Sequence, residues 1–506
     1  MATPHRFSRP PSRRWTALVL AVLLAGALPS QAQLPTLGDA NEMTPAAERR
    51  MGEKIARELY RDPDYLDDAV LADYVQAIWQ PLLAAARQRG ELDAELDQRF
   101  AWQVLLGKDR SVNAFAVPGG WLGLNLGLVS VTTTRDELAA VLAHELSHVT
   151  QRHIARLVAQ DKRQTPWVIG AMILGALAAR KNAEVGNAAV TGAHALAMQN
   201  QLNFSRDMER EADRIGLGVM TQAGFDAQGF LAMFDKLQQA ARLNDSGGYP
   251  YLRSHPMTTE RIADAQARLQ LAARERGAAP EPPVEHALMA ARARVLSAGA
   301  TDSLRAMLAE ASLLAANAPR ARRAPVLYAG ALAASRLRDA AQAVQLAERL
   351  QEEVGAEPAA ARRARLLLAE VALAAGHRAR AAGLLQGGAG GRPELLLWAQ
   401  ARLGAGQAQD VSQRLQPWVA EQPRDAAAWQ LLAAAWSAQG QVVRAVRAEA
   451  EAQVAQLDYQ AALDRLKAAQ DLVRRGGPGV DHFEASIVDT RTRQVESLLR
   501  EQALER

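Results

Sequence analysis

The chain has 506 residues, 49% of them apolar, 23% charged and 5% aromatic, a balance that excludes a disordered polyelectrolyte, a collagen-like fibre and a multi-span membrane protein. Its formal charge of +4 comes from the amino-terminal end. Of 59 basic residues, Arg6, Arg9, Arg13 and Arg14 fall in residues 1–32, which hold no acid, so that 55 basic residues face 55 acidic ones in the remainder. That balance leaves no electrostatic footprint for nucleic acid, and the length predicts two or three domains of roughly 100–200 residues each.

Residues 1–14 are basic, residues 15–28 are apolar, and Ser30-Gln31-Ala32 places small residues at the two positions that decide cleavage. This is the pattern of a secretory signal cleaved after Ala32; the apolar run falls short of the ~20 residues of a spanning helix. Cysteine is absent, which leaves neither a lipid attachment site nor any disulfide. Residues 33–506 are expected outside a bacterial inner membrane, in the periplasm, with an uncleaved anchor as the alternative.

From Asn41 to Arg276 the sequence reads as amphipathic helices around one strand-rich interval, Ala101 to Val131. The interval carries Trp102-Gln103-Val104-Leu105-Leu106 and Ala114-Phe115-Ala116-Val117, the latter closed by the turn signal Pro118-Gly119-Gly120. Gly277-Ala278-Ala279-Pro280-Glu281-Pro282-Pro283 is a linker by composition. Residues 284–475 are rich in alanine and leucine and nearly free of strand signals. Gly376, Gly406 and Gly440 each separate two helix-length stretches, at spacings of 30 and 34 residues, near the ~34-residue period of a helix-turn-helix solenoid. The clearest unit, Trp429 to Trp436 followed by Gly440, Ala445 and Ala452, has the tetratricopeptide-like arrangement. Such an array offers a concave binding surface; a generic helical bundle is the alternative. Residues 476–506 form a final helix or a tail.

Thr134-Arg135-Asp136-Glu137 has the form of a capping box and starts a helix that carries His144-Glu145-Leu146-Ser147-His148. At about 100° per residue His144 and His148 lie one turn apart on one face, so both imidazoles reach the same ion, while Glu145 stands alongside to take a proton from water. This is the HExxH pattern of zinc peptidases. A catalytic zinc needs a third protein ligand and an open position. Gln151 and Ile154 stand where the elongated metzincin motif requires glycine and histidine. His153, nine residues after His144, projects to about 180° around a continuous helix, which makes it a surface or supporting residue. On a later helix Glu209 and Asp213 share a face at i, i+4; Glu209 can bind the ion while Asp213 orients a ligand histidine. Glu211 points elsewhere, toward solvent.

With these segments in hand, Asp136 to His148, Ser205 to Gly216, and Ser254-His255-Pro256 with Glu260-Arg261-Ile262, the sequence resembles the M48 metallopeptidases, most closely the exported members that carry a carboxy-terminal tetratricopeptide-like domain. The agreement is motif-level over residues 100–265 and architectural beyond. The resemblance implies a mainly α protein, in which an α+β zincin-type metallopeptidase domain with a small sheet (residues 33–276) precedes an all-α tetratricopeptide-like solenoid. It implies one Zn2+ per chain, with His144, His148 and Glu209 as ligands and Glu145 as the general base. It places His255 near the metal, either stabilising the tetrahedral intermediate or filling the fourth position as an inhibitory latch. Arg261 either pairs with a site carboxylate or is solvated.

The resemblance further implies hydrolysis of misfolded or stalled outer-membrane β-barrel proteins, docking to the outer-membrane assembly machinery through the repeats, and a chaperone-like contribution. A mainly non-enzymatic chaperone or scaffold with a latched zinc site, and a general membrane-surface protease, are the rivals; a retained Glu145 argues against the first. The strand around Asn113 to Val117 either pairs with extended substrate or lies inside the core. Thr165 to Ala179, fifteen residues without a charge, forms a cleft-covering hairpin or a surface contacting a membrane or partner.

Overall fold

The computed structural model describes residues 43–160, 206–242, 249–272, 283–476 apart from 316, 386, 387 and 389, and 482–503. The candidate leader 1–32, the apolar stretch 165–179 and linker residues 277–282 lie outside these.

Helix α1 (Pro45–Arg61) opens on Thr44, whose hydroxyl accepts from the Ala47 amide, with proline in the first turn. Helix α2 (Ala69–Gln88) opens on Asp68, which accepts from the Leu71 amide at 2.8 Å. The short α3 (Ala94–Arg99) follows. Four strands, β1 (Tyr65–Leu66), β2 (Gln103–Gly107), β3 (Ala114–Val117) and β4 (Trp121–Asn125), form one sheet in the order β1-β2-β4-β3. β2 and β4 run parallel, while β3 and β4 make an antiparallel hairpin in which Val117 faces Trp121. The connecting Gly119 and Gly120 have φ of +74° and +88°, values that L side chains adopt only with strain. β3 therefore stands at the sheet's edge and pairs only with β4 among the described strands.

After α4 (Leu126–Val131), helix α5 (Arg135–Thr150) is buried around its whole circumference from Glu137 onward. Thr134 caps it by accepting from the Glu137 amide, and Glu137 in turn accepts from the Thr133 amide at 2.7 Å and from Lys236 Nζ at 2.5 Å. Around this central helix pack α6 (His153–Gln160), α7 (Arg206–Gln222), α8 (Gln228–Arg242), the single turn α9 (Tyr251–Ser254) and α10 (Thr259–Ala272).

The rest of the described chain is helical: α11 (Val284–Leu296) and α12 (Thr301–Ser312) both pack on α13 (Arg320–Arg336), and from there the helices pack in consecutive pairs, α13 with α14 (Ala340–Val354), α15 (Pro358–Ala374) with α16 (Arg378–Leu384), α17 (Arg392–Gly404) with α18 (Ala408–Glu421), α19 (Ala426–Ala438) with α20 (Val442–Ala455), and α21 (Tyr459–Arg474) with α22 (His482–Ala503). Trp429, Ala445 and Ala452 are buried between neighbouring helices, and residues 482–503 form a helix rather than a tail. The chain from Met43 onward packs as one unit. A single apolar core includes Leu71 and Leu142 of the first half and Leu288, Leu332, Leu367 and Leu432 of the second.

Charge pairs reinforce that continuity. Arg292, 3% exposed, makes a two-pronged contact with Asp68 at 2.8 and 2.6 Å and also reaches Glu370 and the Tyr328 hydroxyl. Arg362 and Arg363 both hold Asp73 at 2.7 Å, and Arg392 holds Asp67 at 2.8 Å. The imidazole of His286 accepts from the Tyr74 hydroxyl at 2.6 Å and donates to the Thr132 carbonyl at 3.0 Å, just before the cap of α5. These later helices thus grip the acidic start of α2.

Removing one partner of a buried ion pair leaves the other charge desolvated and uncompensated, at a cost of about 3–5 kcal/mol. Asp68→Ala, which also loses the cap of α2, is expected to destabilise the chain by that amount in urea denaturation. Arg305→Ala breaks an exposed pair with Asp302 and should shift stability by no more than about 0.5 kcal/mol.

Candidate metal centre

His144 and His148 sit one turn apart on α5, and their Nε2 atoms lie 2.9 Å from each other. Across from them α7 brings in Glu209, whose carboxylate oxygens are 3.6 Å from His144 Nε2 and 3.5 Å from His148 Nε2. α7 approaches this closely because residue 216 is glycine: a Cβ there would stand 3.1 Å from the His144 backbone nitrogen and 3.2 Å from the Ala143 carbonyl. His255, at the end of α9, completes the group, with Nδ1 3.3 Å from His144 Nε2 and 2.9 Å from Glu209 Oε1. Its ring stacks on Tyr251 at 4.6 Å, and the Tyr251 amide donates to the Val112 carbonyl immediately before β3.

The four donor atoms lie within 4.8 Å of one another, and all four residues are buried. Tetrahedral zinc with bonds of about 2.0–2.1 Å separates its ligand atoms by roughly 3.3 Å, so edges of 2.9–3.6 Å match the ion in size. Their chemistry matches too, since three imidazoles and a carboxylate form a nitrogen–oxygen set suited to zinc. Glu145 is fully buried, and neither of its carboxylate oxygens is hydrogen-bonded among the described residues. His255 Nε2 lies 3.4 Å away. A desolvated carboxylate without hydrogen bonds is costly, and here it lies beside the donor cluster, placed to accept a proton.

The ligands are oriented from behind. Asp213 Oδ1 is 3.0 Å from His144 Nδ1, which turns Nε2 toward the centre. Arg261, 3% exposed, contacts Asp213 at 2.6 and 2.7 Å, Glu209 at 2.8 Å and the Pro256 carbonyl at 3.0 Å. Of the two sequence alternatives for Arg261, the structure shows the paired one. Burial works to raise the pKa of both carboxylates, but His255, His144 and Arg261 around Glu209, and Arg261 and His144 around Asp213, outweigh it and hold both below the ordinary range. Burial, with His144 and His255 alongside, pushes His148 well below its ordinary value, which keeps its lone pair free for a metal.

Of the two sequence alternatives for His153, surface or supporting, the structure shows the supporting one: it is fully buried, with Nδ1 2.8 Å from His148 Nδ1. The projection failed because α5 ends at Thr150: Arg152 takes φ of +52°, and the chain turns back before α6 begins at His153. Glu211 is not a free solvated carboxylate; it is 3.1 Å from His153 Nε2 and 2.7 Å from Arg156. Burial lowers the His153 pKa to about 4 despite Glu211. Tyr251, which supports His255, carried no sequence signal.

Gly216→Leu should force α7 away from α5 and weaken both zinc binding and stability, the latter by the about 1–3 kcal/mol typical of an overpacked contact. Metal titration and denaturation of the same variant check both effects.

Comparison with known proteins agrees with this geometry. The chain is 33% identical over 265 residues to a putative β-barrel assembly-enhancing protease of Vibrio cholerae, covering 51% of this chain and 52% of that one. It is 32% identical over 241 residues to the β-barrel assembly-enhancing protease of Escherichia coli, covering 46% and 47%. A mitochondrial metalloendopeptidase of Saccharomyces cerevisiae is 28% identical over 198 residues, covering 37% and 53%. The matches span about half the length of these relatives. Residues 72–269, which contain every donor of the cluster, match the model of peptidase family M48, and the cluster they carry could hold a metal ion.

Proposed function

We propose that the protein is a zinc-dependent endopeptidase that acts in the periplasm on misfolded or stalled outer-membrane β-barrel proteins. The observation that carries the catalytic part is the convergence of His144, His148 and Glu209 with the buried carboxylate of Glu145, which accepts no hydrogen bond among the described residues, beside them. Zinc, when bound there, polarises water and the substrate carbonyl. Glu145 takes the proton from the attacking water and returns it to the departing amine. Asp213 and Arg261 hold His144 and Glu209 in place, and the buried surroundings strengthen each of these interactions. β3, on the sheet edge, can pair with an extended segment through backbone hydrogen bonds, which favours unfolded polypeptide over any particular sequence.

The assignment to outer-membrane proteins rests on likeness to the Vibrio and Escherichia proteases, and the periplasmic location adds the signal pattern of residues 1–32. Among the described residues no helix is long and apolar enough to cross a membrane. The helical pairs after residue 284 are the proposed docking module for the assembly machinery. His255 bears on the choice between enzyme and scaffold. Its Nδ1 falls among the zinc-facing atoms and its Nε2 lies near Glu145, which supports a resting state in which His255 fills the fourth position and must leave before water enters.

An unfolded outer-membrane β-barrel protein should be cleaved slowly by the unmodified chain and faster by His255→Ala. Glu145→Gln should be at least about 100-fold slower, and zinc removal should abolish cleavage. Equal cleavage by Glu145→Gln and the unmodified chain would contradict the mechanism. Slower cleavage by His255→Ala would make His255 a stabilising group rather than a latch.

A further inference from the structure

Every ligand histidine needs its second ring nitrogen satisfied in a way that leaves the first free for the metal. For His144 that partner is Asp213. For His148 the partner is another histidine. His148 faces the metal position with Nε2, so Nδ1 carries its proton. That nitrogen lies 2.8 Å from His153 Nδ1, which must then accept. In a neutral imidazole the remaining hydrogen sits on Nε2, and His153 Nε2 is 3.1 Å from Glu211 Oε2. A carboxylate only accepts, so each proton in the series has a single consistent position, and Arg156 at 2.7 Å fixes Glu211 at its outer end.

The backbone is bent to make this contact. A non-glycine residue rarely adopts positive φ, and Arg152 does so at +52° between α5 and α6. Its side chain is tied to Glu48 at 2.9 Å and to the Met43 carbonyl, and the turn delivers His153, with no exposed surface, onto the back of His148.

We infer that His153 and Glu211 form a positioning relay, Glu211–His153–His148, that fixes the tautomer and ring orientation of His148 as a zinc ligand. The inference rests on the zinc reading of the centre and adds two residues to it. In the relay His153 donates outward and accepts inward, a pair of roles that glutamine can reproduce and leucine cannot.

The test is the zinc affinity of the full-length chain by competition with a chromophoric chelator, for the unmodified protein, His153→Leu, His153→Gln and Glu211→Leu, with thermal unfolding of each metal-free form alongside. His153→Leu should bind zinc about 10–100-fold more weakly, His153→Gln should stay within about threefold of the unmodified chain, and Glu211→Leu should fall between them. Should His153→Leu fail to fold, the partly exposed Glu211→Leu decides the matter in its place. Unchanged affinity in the folded leucine variants would overturn the relay. Equal weakening by His153→Gln and His153→Leu would also overturn it, since packing rather than hydrogen bonding would then be responsible. Failure of the unmodified chain to bind zinc would instead overturn the metal reading.

Discussion

The structure depends on placing ionisable side chains where water does not reach. His144, His148, Glu209, Glu145, Asp213, His255 and Arg261 are each no more than 9% exposed, and burial of that kind is tolerated only when charges and donors satisfy one another. Arg261 is the hub, because it touches both carboxylates of α7 and the backbone at Pro256. Against burial, its guanidinium holds Asp213 below the ordinary carboxylate range, while His255 and His144, with Arg261 after them, do the same for Glu209, and those two in turn orient and complete the donor set. Glu145, the residue whose proposed task is to take up a proton, accepts no hydrogen bond among the described residues and faces the His255 ring at 3.4 Å.

The sequence made the central helix legible because its signals are local. Thr134 and Glu137 mark its start, and the four-residue separation of His144 and His148 fixes their common face regardless of the rest of the fold. Glu209 and Asp213 were legible for the same reason, as an i, i+4 pair. Spacing left His153 between two alternatives because helical projection assumes an unbroken helix, whereas Arg152 takes a left-handed conformation with its side chain tied to Glu48 and Met43; Glu211, read as solvated, meets His153 and Arg156 because that turn brings them to it. Arg261 and Tyr251 depend on contacts across many residues of chain, for which spacing carries no signal.

Composition marks a linker near residue 280 and a helical array after it; how that array packs depends on contacts that composition does not carry. Asp67, Asp68 and Asp73 lie within seven residues at the start of α2, and arginines from α11, α15 and α17 meet them. Through His286 the first of these helices also touches the loop that caps the zinc-binding helix. Part of the surface of these later helices is therefore covered by the first half of the chain.

Zinc K-edge X-ray absorption of the zinc-loaded full-length chain, paired with metal analysis, tests the central claim most directly. The predicted result is one zinc per chain in a four-coordinate shell of nitrogen and oxygen at about 2.0–2.1 Å with clear imidazole scattering, lost in the His144→Ala, His148→Ala double variant. Zinc bound without imidazole, or bound equally by the double variant, would contradict it.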